Sequence, residues 1–273
     1  MCPEMVECTG HSPIFLNNKA KPNIQTTSPS EPFFLSRHVV EGEVVAMRLC
    51  MFHPNDNPME RGWVGRIDGD RVLHLAAQTL QSFFLGGGGA REHAEYALAD
   101  VTLLVPVQHP PTVRVFSTDG SFRFANASAV IGPGVPVASS PLIACARIAA
   151  VIGANGAIGG YSGLLEWQDP AEQPAAKQSD FGIVLGPTVV TPDELEPTAA
   201  LCRLRADGRH ETAAPTPFSW LAAIALAARR TVLRPGDVVA GPPIVVLDGV
   251  AGGVQLEVDG IGTLDCPRGV GVG

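Results

Sequence analysis

Cys145 and Arg147 stand two apart in an apolar run, Glu166, Trp167 and Asp169 follow in the segment GGYSGLLEWQD, and Lys177 and Asp180 stand three apart beyond them. Two residues apart on an extended strand means one face, so Cys145 and Arg147 would point the same way. An arginine on a strand reaches solvent or pairs with a nearby acid, here Glu166 or Asp169. Cys145 reads as buried packing, because no histidine lies close by in sequence to lower its pKa. Lys177 is the only lysine between residue 22 and the C-terminus, in a chain whose other cations are nearly all arginines. A lysine kept in such a background suggests work for a compact ammonium: general acid, oxyanion partner or Schiff-base nucleophile. Asp180 is spaced to orient it, or to form an Asx turn.

Other reactive residues read as structure. The histidines are scattered, with no H-x-x-x-H pair, and His53, His74 and His93 fall in one small N-terminal unit. Six cysteines are spread over the chain without a C-x-x-C pair, which suits a reducing cytoplasm. The glycine run 86–89 lacks the lysine and serine or threonine of a phosphate loop. Asp237 in RPGDVV reads as a turn residue before a strand.

The formal charge is −8 with no basic stripe, which argues against nucleic acid and against anionic membranes. The longest apolar run, around residues 142–152, is interrupted by Arg147 and is too short to cross a bilayer. Thirty glycines, twenty-four prolines and few aromatics point to short strands and many turns.

Three units are expected: a flexible leader at 1–46, a small α+β domain at 47–110, and a mainly β core at 111–273, with the boundary at Pro110-Pro111. In the small domain, runs at 64–67 and 71–75 around Asp68-Gly69 predict a hairpin, followed by a helical stretch at 75–85 and a strand at 101–107. Beyond it, strands are expected at 113–116, 121–124, 143–152, 188–190, 201–205, 238–240, 244–247 and 254–261. One helix is expected at 219–230, with Ser219 as N-cap, an apolar face of Leu221, Ile224, Ala225 and Ala228, and two arginines in its last turn.

Five segments occur together in one order: SFRFANASAVIGPGVPV at 121–137, AVIG at 150–153 with GGY at 159–161, KQSDFGIVLGPTVVTPDEL at 177–195, TVLRPGDVVAGPP at 231–243 and VDGIGTL at 258–264. In this order they resemble the fumarylacetoacetate hydrolase family over residues 112–265, with AVIG and GGY matching a strand and its turn. The resemblance implies a mixed β-sandwich roll with a small N-terminal α+β domain, usually dimeric, around a pocket that in active members holds a divalent cation on a Glu-x-Glu pair and a later aspartate. Those glutamate positions fall here at Cys145 and Arg147, and the aspartate falls near Glu166. Thiolate suits softer metals and guanidinium repels cations, so neither metal nor cofactor is expected. The family's Asn-Tyr and histidine loop is absent between the first core strand and SFRF, where Asp119-Gly120 reads as a simple turn.

By the resemblance, Lys177, Glu166 and Arg147 are the candidate catalytic residues, and Cys145, Phe124, Asp180 and Trp167 the candidate substrate contacts. The expectation from the residues that depart from the pattern is a diverged enzyme that isomerises, dehydrates or cyclises a carbonyl-containing metabolite without a metal, in a biosynthetic pathway, as a cytoplasmic homodimer. A conventional magnesium-dependent hydrolase or decarboxylase, and an inactive small-molecule-binding homologue, are the alternatives.

Overall fold

The computed structural model describes residues 47–137 and 142–269. The described residues all belong to one compact unit. The expected leader at 1–46 lies outside them.

Strands dominate, as alternating and continuous apolar runs between glycines and prolines require. The first part holds β1 (Arg48–Pro54), β2 (Trp63–Asp68), β3 (Arg71–Leu75), β4 (Glu92–Ala97) and β5 (Val101–Leu104), with helix α1 (Leu80–Leu85) after β3. The middle holds β6 (Val113–Phe116), β7 (Phe122–Ala125), β8 (Val130–Ile131), β9 (Leu142–Ile152), β10 (Ile158–Gln168) and β11 (Ile183–Val190). Then come β12 (Cys202–Ala206), β13 (Arg209–Ala213), helix α2 (Trp220–Ala227), β14 (Val238–Ala240), β15 (Val245–Val250), β16 (Val254–Val258) and β17 (Gly262–Cys266).

Thirteen strands form one mixed sheet in the order β4-β3-β2-β1-β11-β10-β9-β14-β6-β7, with β5 on β1, β8 on β11 and β15 on β9. The strands on either side of residue 110 share this sheet through Arg48↔Val190 and Leu49↔Val189. Four more make a second sheet, β13-β12-β16-β17. Along β9 the even residues Ala144, Ala146, Ile148, Ala150 and Ile152 join a core with Leu204, Leu256 and Val258 of the second sheet. The odd residues Ala149 and Val151 join another core, with Leu49, Phe83 and Leu185. Strand β9 is thus covered on both faces, and its alanines leave room for the large side chains opposite them. Fully burying a leucine such as Leu204 contributes about 1.5–3 kcal/mol.

Several elements differ from the sequence expectations. The hairpin's two-residue turn is Gly69-Asp70, one residue later than expected, because Asp68 still pairs with Arg71; Gly69 supplies φ 58°. Helix α1 starts at Leu80 because Thr79 and Ser82 form a reciprocal cap there. The GGY segment is strand and not turn: it lies in β10, and the reversal falls at Gly153, whose N–H donates to the Ala157 carbonyl at 2.7 Å. In α2 the expected cap is present, with the Ser219 hydroxyl accepting from Ala222 N at 3.2 Å. Its buried face is Ala223 and Ala227, however, while Leu221 is 83% exposed, and the helix ends before Arg229 and Arg230. Small residues let the helix approach the sheet closely, and that contact overrides the periodicity of the larger ones.

Candidate functional site

Register sets the centre of the site. Strand β10 runs antiparallel to β9 with Glu166 opposite Cys145 and Leu164 opposite Arg147. Tyr161, Leu165 and Trp167 face the second sheet, and Leu164 faces the other core, so Glu166 shares the Leu164 face with Cys145 and Arg147. The close passage of β10 and β11 depends on Gly163, where an added Cβ would stand 2.8 Å from the Gly186 carbonyl oxygen.

Glu166 is fully buried and both its oxygens are engaged. Arg147 donates to Oε2 through Nε at 2.9 Å, with its Nη2 also 2.9 Å from that oxygen. The remaining terminal nitrogen of Arg147 donates to the carbonyls of Phe116 at 2.9 Å and Gly241 at 2.8 Å. Arg123 donates to Oε1 from the other side. A buried carboxylate is tolerable only when paired and hydrogen-bonded, and here two guanidinia do both. Burial above all, with repulsion from Arg123, pulls Arg147 down to about 10, leaving it charged at neutral pH. Burial raises the Cys145 thiol, while Arg147 and Arg123 act to lower it. Cys145 is therefore a neutral wall and not a ready nucleophile.

The remaining candidates lie elsewhere. Lys177 Nζ pairs with Asp180 Oδ2 at 2.5 Å on a loop, with the lysine side chain 55% exposed, and makes no bond to Glu166, Arg147 or Arg123. That loop is tied to the end of β7 by Asn126, whose amide donates to the Asp180 carbonyl at 2.9 Å. Phe124 turns to the opposite face of β7 from Arg123 and lies beneath the buried Arg114, 5.1 Å from guanidinium carbon to ring centre. Trp167 is buried between the two sheets. The structure thus brings Cys145, Arg147 and Glu166 together, and leaves Lys177, Asp180, Phe124 and Trp167 apart from them.

Arg123 is the residue that sequence reasoning missed. It pairs with Val115 on the edge strand β7, and the alternation Phe122-Arg123-Phe124 already set it on a different face from its aromatic neighbours. That alternation was the available signal. A second buried network stands on β6: Thr112 donates to Asp237 Oδ1 at 2.6 Å, Arg114 donates to Thr112 at 2.5 Å, and Asp237 Oδ2 accepts from Arg234 N at 2.7 Å. Asp237 therefore closes the turn before β14, in the role its sequence context suggested.

Two clefts open beside α2. One, of about 730 Å³, is lined by Phe116, Thr118, Asp119, Phe218, Ser219 and Pro242 among others. The other, of about 290 Å³, includes Ile148, Trp220, Gly241 and Ile244. Arg147 fixes a backbone carbonyl in the wall of each, but neither is lined by Glu166, Lys177 or Arg123.

The donor set around Glu166 does not fit a divalent cation. A hard ion needs several oxygen ligands, whereas one carboxylate is present, both of its oxygens are taken by guanidinia, and the neighbouring side chain is a thiol. Among the described residues no three His, Cys, Asp or Glu side chains are grouped to hold a metal.

No family model matches this chain, and no curated protein matches it. Solved structures do. A maleylpyruvate hydrolase from Sphingobium sp. SYK-6, in complex with manganese (II) ion and pyruvate, is similar with TM-score 0.67 and 22% identity over 82% of this chain and 100% of that one. A 2-hydroxyhepta-2,4-diene-1,7-dioate isomerase from Mycobacterium marinum is similar with TM-score 0.65 and 22% identity over 81% and 98% of the two chains. A fumarylacetoacetate hydrolase from psychrophilic Exiguobacterium antarcticum has TM-score 0.70 and 19% identity over 81% and 99%. With 81–82% of its length superposing on nearly the whole of each of these proteins, this chain has the fold of the fumarylacetoacetate hydrolase family.

Proposed function

We propose that this protein is a diverged enzyme of the fumarylacetoacetate hydrolase fold that acts on a carbonyl-bearing small molecule without a resident divalent cation. The observation that carries this reading is the burial of Glu166 between Arg123 and Arg147, with Arg147 at a position where the resemblance expects a metal-binding glutamate. A fixed guanidinium supplies positive charge to a developing enolate, as a cation would, and needs no reorganisation during the reaction. It does not lower the pKa of a bound water as a metal does, and Glu166 has both oxygens occupied, so activation of water for hydrolysis lacks a base here. Isomerisation, dehydration or cyclisation needs only orientation, charge stabilisation and a proton shift. The structural neighbours include isomerases as well as hydrolases, which supports this choice. Lys177, exposed and paired with Asp180, is the proposed proton carrier, reaching substrate by a movement of its loop. A cytoplasmic homodimer is the proposed setting; no helix among the described residues is long and apolar enough to cross a membrane.

A second reading, a ligand-binding protein without turnover, is favoured by one observation: the Lys177 ammonium is bound to Asp180 and not to the Glu166 cluster. A panel of 2-oxo acids and 1,3-dicarbonyl compounds, followed by proton NMR for both binding and product with and without chelator, separates the readings. The first requires an isomerised, dehydrated or cyclised product at the same rate in both conditions. Binding without product selects the second, and chelator-sensitive turnover contradicts both.

A further inference from the structure

We infer that Arg123 is an anion-binding residue: the triad it forms with Glu166 and Arg147 carries a net charge of one positive unit, and the N–H groups of Arg123 not used on Glu166 bind a small organic carboxylate or enolate. This rests on the reading that the triad stands where a cation would.

The division of labour within the triad supports the inference. Arg147 is nearly fully buried and spent: its donors go to Glu166 and to the carbonyls of Phe116 and Gly241. Glu166 is closed to solvent. Arg123 differs from both, with its side chain 41% exposed and one of its nitrogens engaged, on Glu166 Oε1. A guanidinium carries five N–H donors in a planar fork that matches a carboxylate. One terminal nitrogen is held by the buried carboxylate, which tethers the head of the side chain, and the other nitrogens have no hydrogen bond to the described residues. Preorganising the fork lowers the entropy cost of binding.

The charge count points the same way. Glu166 neutralises one of the two arginines and Cys145, its thiol raised by burial, adds no negative charge. Asp180, which follows on the loop tied to β7, is occupied by Lys177. One positive charge is therefore left, and it is presented at the solvent-facing member of the triad. An isolated structural ion pair would leave none.

Malonate titrated calorimetrically into the full chain at low ionic strength tests this. The wild type is expected to bind malonate saturably, with affinity falling as salt rises. Arg123→Gln should weaken binding about tenfold or more, and Arg123→Lys, which keeps the charge but loses the fork, should fall between. Arg209→Gln, a surface change outside the triad, should bind as the wild type does. Circular dichroism checks that each variant folds; if Arg123→Gln does not, the Lys variant and the salt dependence decide. Absence of saturable binding by the wild type, or affinity indifferent to both Arg123 variants, overturns the inference. Malonate binding that depends on Arg123 in a protein without turnover leaves the inference standing and removes the proposed activity. Turnover that malonate does not inhibit, and that Arg123 variants leave unchanged, does the reverse.

Discussion

At the scale of single residues, the decisive fact is that Glu166 is buried with both oxygens bound by arginines. Removing one partner of such a pair strands a charge in a poorly solvated place, which costs more than the pair itself contributes. Glu166→Leu, which leaves the buried Arg147 without its carboxylate, is therefore expected to destabilise the protein by about 3–5 kcal/mol in denaturant titration, and the double variant Arg147→Met/Glu166→Leu to recover much of that loss. A double variant no better than the single one would mean that Arg147 is not the group left stranded. His74 offers a test of pH response. Burial, then repulsion from His93, holds its imidazole below the usual value, while stacking on Trp63 at 4.7 Å keeps it in place. The unfolded chain therefore takes up this proton first as pH falls through about 6.5, so stability present above that pH is lost on acidification. His74→Gln should show a smaller fall in melting temperature between pH 7.5 and pH 5.5, on the order of a degree or two less; an unchanged pH slope would assign the acid sensitivity to other groups. Much at this scale was legible in the sequence. Cys145 and Arg147 on one face follow from strand period, and Glu166 was one of two acids considered for Arg147. Arg123 was not found, because a partner across three intervening strands is set by sheet order, which local periodicity does not encode.

At the scale of elements, strands were read more accurately than the helix face. Runs at 113–116 and 238–240 coincide with β6 and β14, and 143–152 falls short of β9 by one residue, because long apolar runs between glycines and prolines leave little choice. Strand β10 was the main omission: its two glycines in GGY look like a turn, whereas they serve close packing, with a Cβ at Gly160 placed 2.6 Å from the Val190 carbonyl oxygen. In α2 the larger side chains suggested one apolar face while the sheet selected the alanines. Leu221→Gln is accordingly expected to change stability by less than about 0.5 kcal/mol, and Ala223→Leu to cost about 1–3 kcal/mol by overpacking. The opposite ranking in thermal melts would restore the face expected from periodicity. Ser219→Ala, which removes the cap, should cost about 1 kcal/mol.

At the scale of the whole molecule, the fold and the site carry different information. The motifs that preserve the roll, among them Leu-Gly-Pro in β11 and the turn closed by Asp237, are structural: they place β9, β10 and β14 side by side. The side chains at the centre of that sheet are few, Cys145, Arg147, Glu166 and Arg123, and the pairing of β9 with β10 that carries three of them is made by the backbone. In the proposed reading the roll keeps its shape while the charge at its centre changes sign, from an acidic cluster that attracts a cation to a cationic one. This is why the fold could be read from ordered sequence segments whereas the reaction could not: shape is distributed over many residues, and the site over a few.

The most direct measurement is the metal content of the purified full-length chain after exposure to magnesium and manganese and removal of free ions, read by elemental analysis alongside its thermal midpoint with and without chelator. A divalent ion content well below one per chain and an unchanged midpoint are expected. One tightly held magnesium or manganese per chain, with a midpoint lowered by chelation, would contradict it.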